Sequence, residues 1–437
     1  MKRGFYTIMA AQFFSSLADN ALLIAAIAQL LELDGPAWMV PLLKFFFTVS
    51  YVALAAFVGA FADAIPKGRV MFITNTIKIA GCVAMFFTDY VEFAGIPGYA
   101  LVLAAYAVVG FGAAAYSPAK YGILTELLPP ERLVAANGWI EGLTVLSIIL
   151  GTVLGGALIS PRIATVLLAI DIPRIDTGIE TPAEAAIIVI AAIYVIAAIF
   201  NLFIPDTGAR YGQQQTNPLL LMRDFYVCFT ALWKDKLGQI SLAVTTLFWG
   251  AGATLQFLVL QWAAVHLGLP LDKGALLQGI TAVGVALGAV IAGRFISLKR
   301  SVDVLPAGIA MGIVVIGMIF VTSTPVVYAL LIVIGAMAGF FVVPMNALLQ
   351  HRGYVLLSAG HSIAVQNFNE NISILLMLAL YSAMIKADVH INTIIVSFGT
   401  FVVVSMLGVM LRHRYNQSRG DSLHLIGMKT SRQRGYP

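Results

Sequence analysis

The sequence is poor in charged residues and in cysteine. Charged residues make up only 11% of the chain, whereas 60% of its residues are hydrophobic. Soluble domains carry about a quarter charged residues, so this composition excludes an ordinary soluble globule. The two cysteines, Cys82 and Cys228, stand far apart and show no metal-ligand spacing, so we predict neither a disulfide nor a metal site.

Motifs for ATP hydrolysis and for catalysis are also missing. The chain contains no GxxxxGK[ST] phosphate loop, no GxSxG nucleophile motif and no HExxH zinc motif. We therefore predict a protein that is not an enzyme and uses no cofactor. The competing interpretations are a membrane acyltransferase or lipase, and a passive scaffold in which so many buried charges would be a needless cost.

Apolar runs of about 20 residues, each long enough to cross a bilayer as a helix, recur along the whole chain. They predict an all-α polytopic membrane protein with twelve transmembrane helices. The predicted spans cover residues 5–31, 39–63, 70–88, 97–117, 137–159, 183–204, 239–265, 274–297, 304–322, 326–349, 359–384 and 391–411.

A long polar stretch divides these spans into six plus six. We predict a six-helix bundle over residues 1–205, a cytoplasmic linker over 206–238, a second six-helix bundle over 239–411 and a basic, disordered tail over 412–437. The two halves look like a repeat. The link from span 4 to span 5 contains SPAKYG, and the link at the same place in the second half, from span 10 to span 11, contains VPMNALLQHRG. Two pseudo-symmetric repeats are a transporter architecture, with the substrate handled between the halves.

The basic residues set the orientation. If both termini are cytoplasmic, twenty Lys and Arg residues lie on that side and four on the other, which the positive-inside rule favours. The pI near 9.1 therefore reflects membrane orientation, and we predict no nucleic-acid partner. Lys44 and Lys78 remain at membrane depth.

The connector between spans 2 and 3 contains a candidate conformational switch. Gly59 and Asp63, followed by Lys67 and Arg69, resemble the signature of the major facilitator superfamily at this place, although Ala64 stands where a basic residue usually follows the aspartate. We expect the carboxylate to pair with a neighbour and stabilise one conformation. The alternative is an ordinary basic turn.

Ionisable groups inside the apolar runs are candidate substrate contacts, because a charge there is costly unless it is paired or faces water. Asp19 and Asn20 lie at the centre of span 1, and Lys78 lies within span 3. Asp19 is either a head-group or coupling-cation contact or the structural partner of a lysine. Lys78 either meets a phosphate or pairs with Asp19 or Glu141.

Two later spans carry polar residues at helical spacing. Glu141 follows Asn137 by four residues in span 5, and Glu370 follows Gln366 by four residues in span 11, with Asn367 beside them. So dense a polar stripe does not face lipid, which favours a cavity lining over interhelical hydrogen bonding alone.

Several segments together resemble the bacterial lysophospholipid transporter family of the major facilitator superfamily. The segments are AQFFSSLADNALL, AAAYSPAKYGILTEL, LVAANGWIEG, TLFWGAGATL, AGFFVVPMNALLQHRG and AVQNFNENISILLML. The resemblance implies a Gram-negative inner-membrane protein that moves lysophosphatidylethanolamine and lysophosphatidylglycerol from the outer to the inner leaflet. A cytoplasmic-side acyltransferase would then restore the diacyl lipid.

The same resemblance places an Asp-Asn pair of the family at Asp19 and Asn20 and its SPAKYG lysine at Lys120. Some members have an arginine in span 7 where this chain has Gln256. If that arginine grips phosphate, Lys78 or Lys120 must take its place here.

We therefore expect a monomeric flippase that works by alternating access, with membrane lipids around it and a polar cavity open sideways to the bilayer. The alternative is a proton-coupled exporter of amphiphilic drugs or other lipids. Transport is either downhill or coupled to H⁺ or Na⁺. The predicted cavity lining is Asp19, Asn20, Lys78, Lys120, Glu141, Gln256, Asn367 and Glu370.

Overall fold

The computed structural model describes residues 3–35, 39–169, 179–212, 214, 217–269, 271–420 and 422–426, and every regular element within them is helical. A helix satisfies its own backbone hydrogen bonds, which is what a chain surrounded by lipid requires. The prediction of an all-α polytopic membrane protein is confirmed. The α-helices in chain order are α1 (Arg3–Glu32), α2 (Val40–Ala53), α3 (Ala55–Ala64), α4 (Lys67–Ala84), α5 (Thr88–Phe93), α6 (Gly98–Leu127), α7 (Leu133–Leu158), α8 (Pro161–Leu168), α9 (Pro182–Leu202), α10 (Pro218–Lys234), α11 (Gly238–His266), α12 (Leu271–Phe295), α13 (Leu305–Ile316), α14 (Thr324–Leu356), α15 (Ala359–Lys386) and α16 (Ile391–Ser418).

The number of membrane spans is close to the predicted twelve. Ten helical segments in the described part of the chain are long and apolar enough to cross a membrane, and the bent pair of α2 and α3 supplies an eleventh. Helix α4 occupies the predicted third span but is more polar, because its 18 residues include Lys67, Arg69 and Lys78.

The predicted second span, 39–63, is broken rather than continuous. Helices α2 and α3 meet at Leu54 with a bend of 66°. The N–H of Leu54 donates to the Ser50 carbonyl at 3.1 Å, and the Leu54 carbonyl accepts from Phe57 and Val58 at 2.9 and 3.0 Å. The break therefore leaves no polar backbone group of Leu54 without a partner.

Two helices contain an internal proline, and both prolines lie in the connectors that suggested a repeat. Pro118 lies within α6 and Pro344 within α14. An internal proline removes one donor from the helical ladder and commonly ends or kinks a helix. Both helices nevertheless continue, to Leu127 and Leu356 respectively.

The described helices belong to two compact units. The first contains residues 1–120 and 146–214, and the second contains residues 121–145 and 215–437. In the first unit α1 and α4 both pack against α9. Residues 121–145, which include Asn137 and Glu141, belong to the second unit. The bundle boundaries predicted above remain a prediction.

Helices α12 and α14 form the most extensive helix pair of the second unit. Their contact is lined by four glycines, Gly284 and Gly288 on α12 and Gly335 and Gly339 on α14, which we call the glycine seam. A Cβ atom at any of them would collide with a backbone carbonyl of the facing helix. Paired small residues four apart let two backbones approach this closely.

Helices also occur within the predicted linker and at the start of the predicted disordered tail. Helix α10 lies within the linker 206–238, and α16 continues through Arg412 to Ser418. The tail prediction is corrected for residues 412–420 and 422–426, because Arg412 donates to Gln239 at 2.9 Å and Lys236 donates to the Gly420 carbonyl at 3.1 Å. Residues 427–437 lie outside the described residues.

Replacing Gly288 with alanine should lower the stability of the second unit. The added methyl group would meet the Ala336 carbonyl, and overpacking of this kind costs about 1–3 kcal/mol. Thermal unfolding of the purified protein in detergent measures the effect. Gly279→Ala is the matched control, since no described atom lies within 4 Å of a Cβ at that position of the same helix. Equal melting temperatures for wild type and both variants would show that α12 and α14 can move apart at Gly288 without a loss of stability.

Candidate functional site

Lys78 of α4 and Asp19 of α1 form an ion pair inside the first unit. The Lys78 Nζ lies 2.8 and 2.9 Å from the two carboxylate oxygens of Asp19. Ser15, one turn before Asp19 on the same face of α1, accepts from the same Nζ at 3.1 Å. Of the two partners considered for Lys78, the structure places Asp19 beside it.

Two tyrosines complete this cluster. The Tyr194 hydroxyl of α9 donates to Oδ1 of Asp19 at 2.6 Å. The Lys78 Nζ lies 5.0 Å from the ring centroid of Tyr116 and 5.5 Å from that of Tyr194, within cation–π range. The lysine side chain is 1% exposed and the aspartate side chain 20%. The reachable end of the cluster is therefore its carboxylate.

One buried amide at the edge of the cluster has hydrogen-bonding capacity left. Ser15 Oγ donates to Asn75 Oδ1 at 2.8 Å. The Nδ2 atom of Asn75 is buried and has no hydrogen-bond partner within the described residues. An unmade hydrogen bond on a buried amide costs about 1–3 kcal/mol, so an acceptor that reached this atom would be stabilised.

The second unit holds a different kind of polar cluster. Asn137 and Gln350 exchange two hydrogen bonds of 2.9 and 2.8 Å between their side-chain amides. One turn further on, Asn346 Nδ2 donates to Glu141 Oε1 at 3.2 Å. Residues 137 and 141 on α7 therefore face residues 346 and 350 on α14, with one turn between the two contacts.

This contact continues to α15. Gln366 Nε2 donates to Asn346 Oδ1 at 3.0 Å and to Glu370 Oε1 at 2.7 Å. Glu141, Asn346, Gln366 and Glu370 are all buried, and we call them the carboxamide chain. Two carboxyl groups are thus connected through two neutral amides.

Glu370 has no lysine or arginine partner within the described residues. An amide donor supports a carboxylate but brings no positive charge, so an ionised Glu370 would be a buried, uncompensated anion. A proton or a small cation would neutralise it. Gln366 Oε1, also buried and without a hydrogen-bond partner in the described part of the chain, is an additional oxygen ligand or acceptor beside it.

Two of the predicted switch residues form a buried ion pair. Lys67 Nζ lies 2.6 Å from Asp63 Oδ1 and donates to the Ala62 carbonyl at 2.7 Å, and both charged side chains are buried. Gly59 is buried in α3, whereas Arg69 is exposed. The structure therefore joins Asp63 to Lys67, and the switching role of the four residues remains a prediction.

The structure places the other predicted lining residues on α1, α6, α11 and α15. Asn20 donates to the Ser16 carbonyl one turn back, at 2.8 Å. Lys120 is half-buried on α6, and Asn367 is buried on α15. Gln256 is exposed and donates to Gln278 at 3.2 Å. A substrate contact at each of these positions remains a prediction.

Sequence reasoning missed several residues that the structure brings to these sites. Tyr194 carries the one hydroxyl group in the apolar stretch AAIIVIAAIYVIAAIF. This lone polar group could have indicated a buried hydrogen bond. Asn346 and Gln350 stand four apart in a segment that supported the repeat and the family resemblance but not the predicted site. Arg352 and Asp235 were assigned to loops, but they form a bidentate pair of 3.1 and 2.7 Å at the ends of α14 and α10.

Lys78→Met should destabilise the protein, because it leaves the Asp19 carboxylate in the interior without a cation. Breaking a buried pair costs about 3–5 kcal/mol. The double variant Asp19→Asn/Lys78→Met should regain most of that loss, since neither charge remains and Tyr194 can still donate to the amide oxygen that replaces the carboxylate. Melting temperatures of the two single variants and the double variant form a double-mutant cycle. Additive losses would show that the two charges do not stabilise each other.

The sequence is similar to a protein family and to named members of it. The sequence matches the family described as "Major Facilitator Superfamily" over residues 8–378. It is 41% identical to the lysophospholipid transporter LplT of Yersinia enterocolitica over 393 residues, 90% of this chain and 89% of that protein. It is 40% identical to LplT of Photorhabdus laumondii over 419 residues, 96% of this chain and 98% of that protein.

Solved structures share the fold at low sequence identity. A bacterial homologue of the iron transporter ferroportin in an outward-facing state has a TM-score of 0.70 and 14% identity, covering 96% of this chain and 100% of that one. The major facilitator transporter FucP in its outward conformation has a TM-score of 0.68 and 13% identity, covering 95% and 99%. These similarities concern the fold alone.

Proposed function

The chain belongs to the lysophospholipid transporter family of the major facilitator superfamily, and from this premise we propose that it is a lysophospholipid transporter of the bacterial inner membrane. It moves lysophosphatidylethanolamine and lysophosphatidylglycerol from the outer to the inner leaflet by alternating access. An acyltransferase on the cytoplasmic side, where both termini lie, consumes the product. The transporter acts as a monomer.

The observation that carries this proposal is the Asp19–Lys78 pair with its two tyrosines. A charge pair inside an apolar bundle is costly, and a structure of neutral residues would be cheaper to build. A lysophospholipid head group carries a phosphate and, in the ethanolamine lipid, an ammonium group, both of which need polar partners during passage through about 30 Å of hydrocarbon.

We propose different roles for the two charges, and their different exposures support this. The partly exposed Asp19 carboxylate receives the ammonium group, while Lys78, enclosed by Asp19 and the tyrosine rings, holds the carboxylate in place. Lys120, half-buried on α6, is the more accessible of the two lysines proposed to replace the family's arginine, so it contacts the phosphate. The single acyl chain stays in lipid.

Glu370 is the group that we propose for coupling to a cation. It lacks a basic partner among the described residues, so during the cycle H⁺ would neutralise it or Na⁺ would compensate its charge. Downhill transport, driven by re-acylation of the product, is the alternative. The competing function, export of amphiphilic drugs, requires the same fold but predicts outward flux.

Leaflet-resolved transport of fluorescent lysophosphatidylethanolamine in spheroplasts and proteoliposomes tests the proposal. We expect inward accumulation that depends on the protein. Repeating the assay with imposed H⁺ or Na⁺ gradients shows whether the movement is coupled. Protein-dependent dye efflux that collapses with the proton gradient, without lysolipid uptake, would identify an exporter instead.

Asp19→Asn should reduce lysophosphatidylethanolamine transport roughly tenfold or more, because a hydrogen bond to a charged group contributes about 1.5–3 kcal/mol. Lysophosphatidylglycerol, which has no ammonium group, should lose less. Asp206→Asn is the matched control: Asp206 pairs with Arg210 in an exposed loop, and hydrogen bonds from Arg210 lower the pKa of this carboxyl to about 2. Transport equal to wild type in Asp19→Asn, at equal membrane abundance, would remove Asp19 from the site.

Lys120→Ala should slow both phospholipid substrates more than a neutral monoacylglycerol analogue, because only the former carry a phosphate for the lysine to contact. Initial uptake rates of the three labelled lipids give the comparison. Lys120→Arg, which keeps the charge, should retain most of the activity. The same fractional loss for all three lipids would mean that Lys120 has a structural role.

A further inference from the structure

Helix α10 presents an apolar outer face that nothing in the described structure covers. Leu219, Met222, Tyr226 and Val227 are exposed to 75, 56, 66 and 54% of their areas. Soluble surfaces seldom present four large apolar side chains so close together on one helix, so a contiguous patch of this kind marks an interaction site.

The charges on the same face have one sign. Arg223 and Lys234 are exposed, whereas Asp224, the single acidic residue of α10, is half-buried. An outer face that combines apolar and basic side chains fits a surface that is both apolar and anionic. The boundary between head groups and acyl chains in an anionic leaflet has this composition.

The inner face of α10 is fixed to the second unit. Leu232 is buried against Leu242, Leu349 and Val365 of three other helices. Phe225 stacks edge-on against Phe368 with a centroid distance of 5.3 Å. The outer face is therefore held in one orientation and is not an averaged property of a mobile linker.

This attachment also sets the level of α10 along the bundle. Leu242 and Val365 lie only about 6 and 9 Å from the ends of α11 and α15, at 1.5 Å per residue. Helix α14, with 33 residues, is about 50 Å long and exceeds the roughly 30 Å of hydrocarbon, so its ends reach into the head-group layers. Helix α10 packs near such an end.

We propose that α10 is an in-plane membrane helix, which inserts its outer face into the head-group and acyl-chain boundary of the leaflet on the linker side. The ligand is an anionic phospholipid surface. Arg223 and Lys234 contact the phosphates, and the four apolar side chains occupy the upper acyl region. This role requires no assumption about the transported lipid.

The test places an environment-sensitive fluorophore on the outer face. In a Cys82→Ala/Cys228→Ala background, Val227→Cys and Tyr226→Cys are labelled with a nitrobenzoxadiazole dye in nanodiscs that hold one protein and lipids with shallow doxyl groups. We expect blue-shifted emission and strong doxyl quenching. Arg210→Cys, in the exposed loop before α10, is the matched control and should show red emission and quenching by aqueous iodide.

The charge component is tested separately. Doxyl quenching at residue 227 should increase when phosphatidylglycerol replaces phosphatidylcholine. The double variant Arg223→Gln/Lys234→Gln should lose this dependence, because each removed charge lowers the apparent affinity of the helix for the anionic surface by about fivefold. Arg210→Gln removes one positive charge from an exposed position outside α10 and should leave the dependence unchanged, whereas the single variants Arg223→Gln and Lys234→Gln should each weaken it.

Three results would overturn the proposal. Water-like emission with iodide quenching at both labelled positions would show that the face is solvated. A second copy of the protein would be the occupant if the label were not quenched by doxyl lipids in one-protein nanodiscs and became shielded from iodide only in nanodiscs that hold two proteins. Doxyl quenching that appears only after removal of residues 427–437 would show that the tail covers the face. Lysolipid transport in the same nanodisc-derived protein, reconstituted in liposomes, reports separately on the proposed function.

Discussion

The cost of placing charge inside an apolar helix bundle constrains the rest of this structure. Each ionisable side chain at depth needs a partner on another turn or another helix, and those partners fix how the helices pack. Asp19 and Lys78 meet that need across α1 and α4, with Tyr194 from α9 as a third element. Asp63 and Lys67 meet it across the turn that joins α3 to α4. In each case the ion pair joins the two helices that carry its charges.

The two units solve the same problem in different ways. The first unit compensates a carboxylate with a full positive charge on a neighbouring helix. In the second unit Glu370 receives a hydrogen bond from the neutral amide of Gln366, which does not neutralise it. A neutralised pair suits recognition of a zwitterionic head group, whereas an uncompensated carboxyl suits reversible loading by a proton or cation. In the proposed function, substrate handling and energy coupling are thus divided between different residues.

The sequence predicted the helices well and the contacts poorly, for a physical reason. Apolar runs of membrane length are a local property, so each of the twelve predicted spans overlaps a helix or a helix pair of the described chain. Partner choice is not local: Glu141 bonds Asn346, 205 residues away, and nothing near Glu141 indicates that distance. The bend at Leu54 was also invisible, since no proline or glycine marks it. Helix α10 was missed because its charges resemble those of a linker, while its apolar face becomes evident only in three dimensions.

The glycine seam between α12 and α14 has a consequence for how sequences of this kind can change over time. At an ordinary core position a substitution can remove or add volume, and neighbouring side chains can adjust. At Gly284, Gly288, Gly335 and Gly339 there is no side chain to remove and the facing atoms belong to the backbone, so every substitution adds volume against an unyielding surface. We therefore expect no neutral substitution at these four positions. Mutant libraries of the protein should keep the four glycines fixed and vary the lipid-facing surfaces.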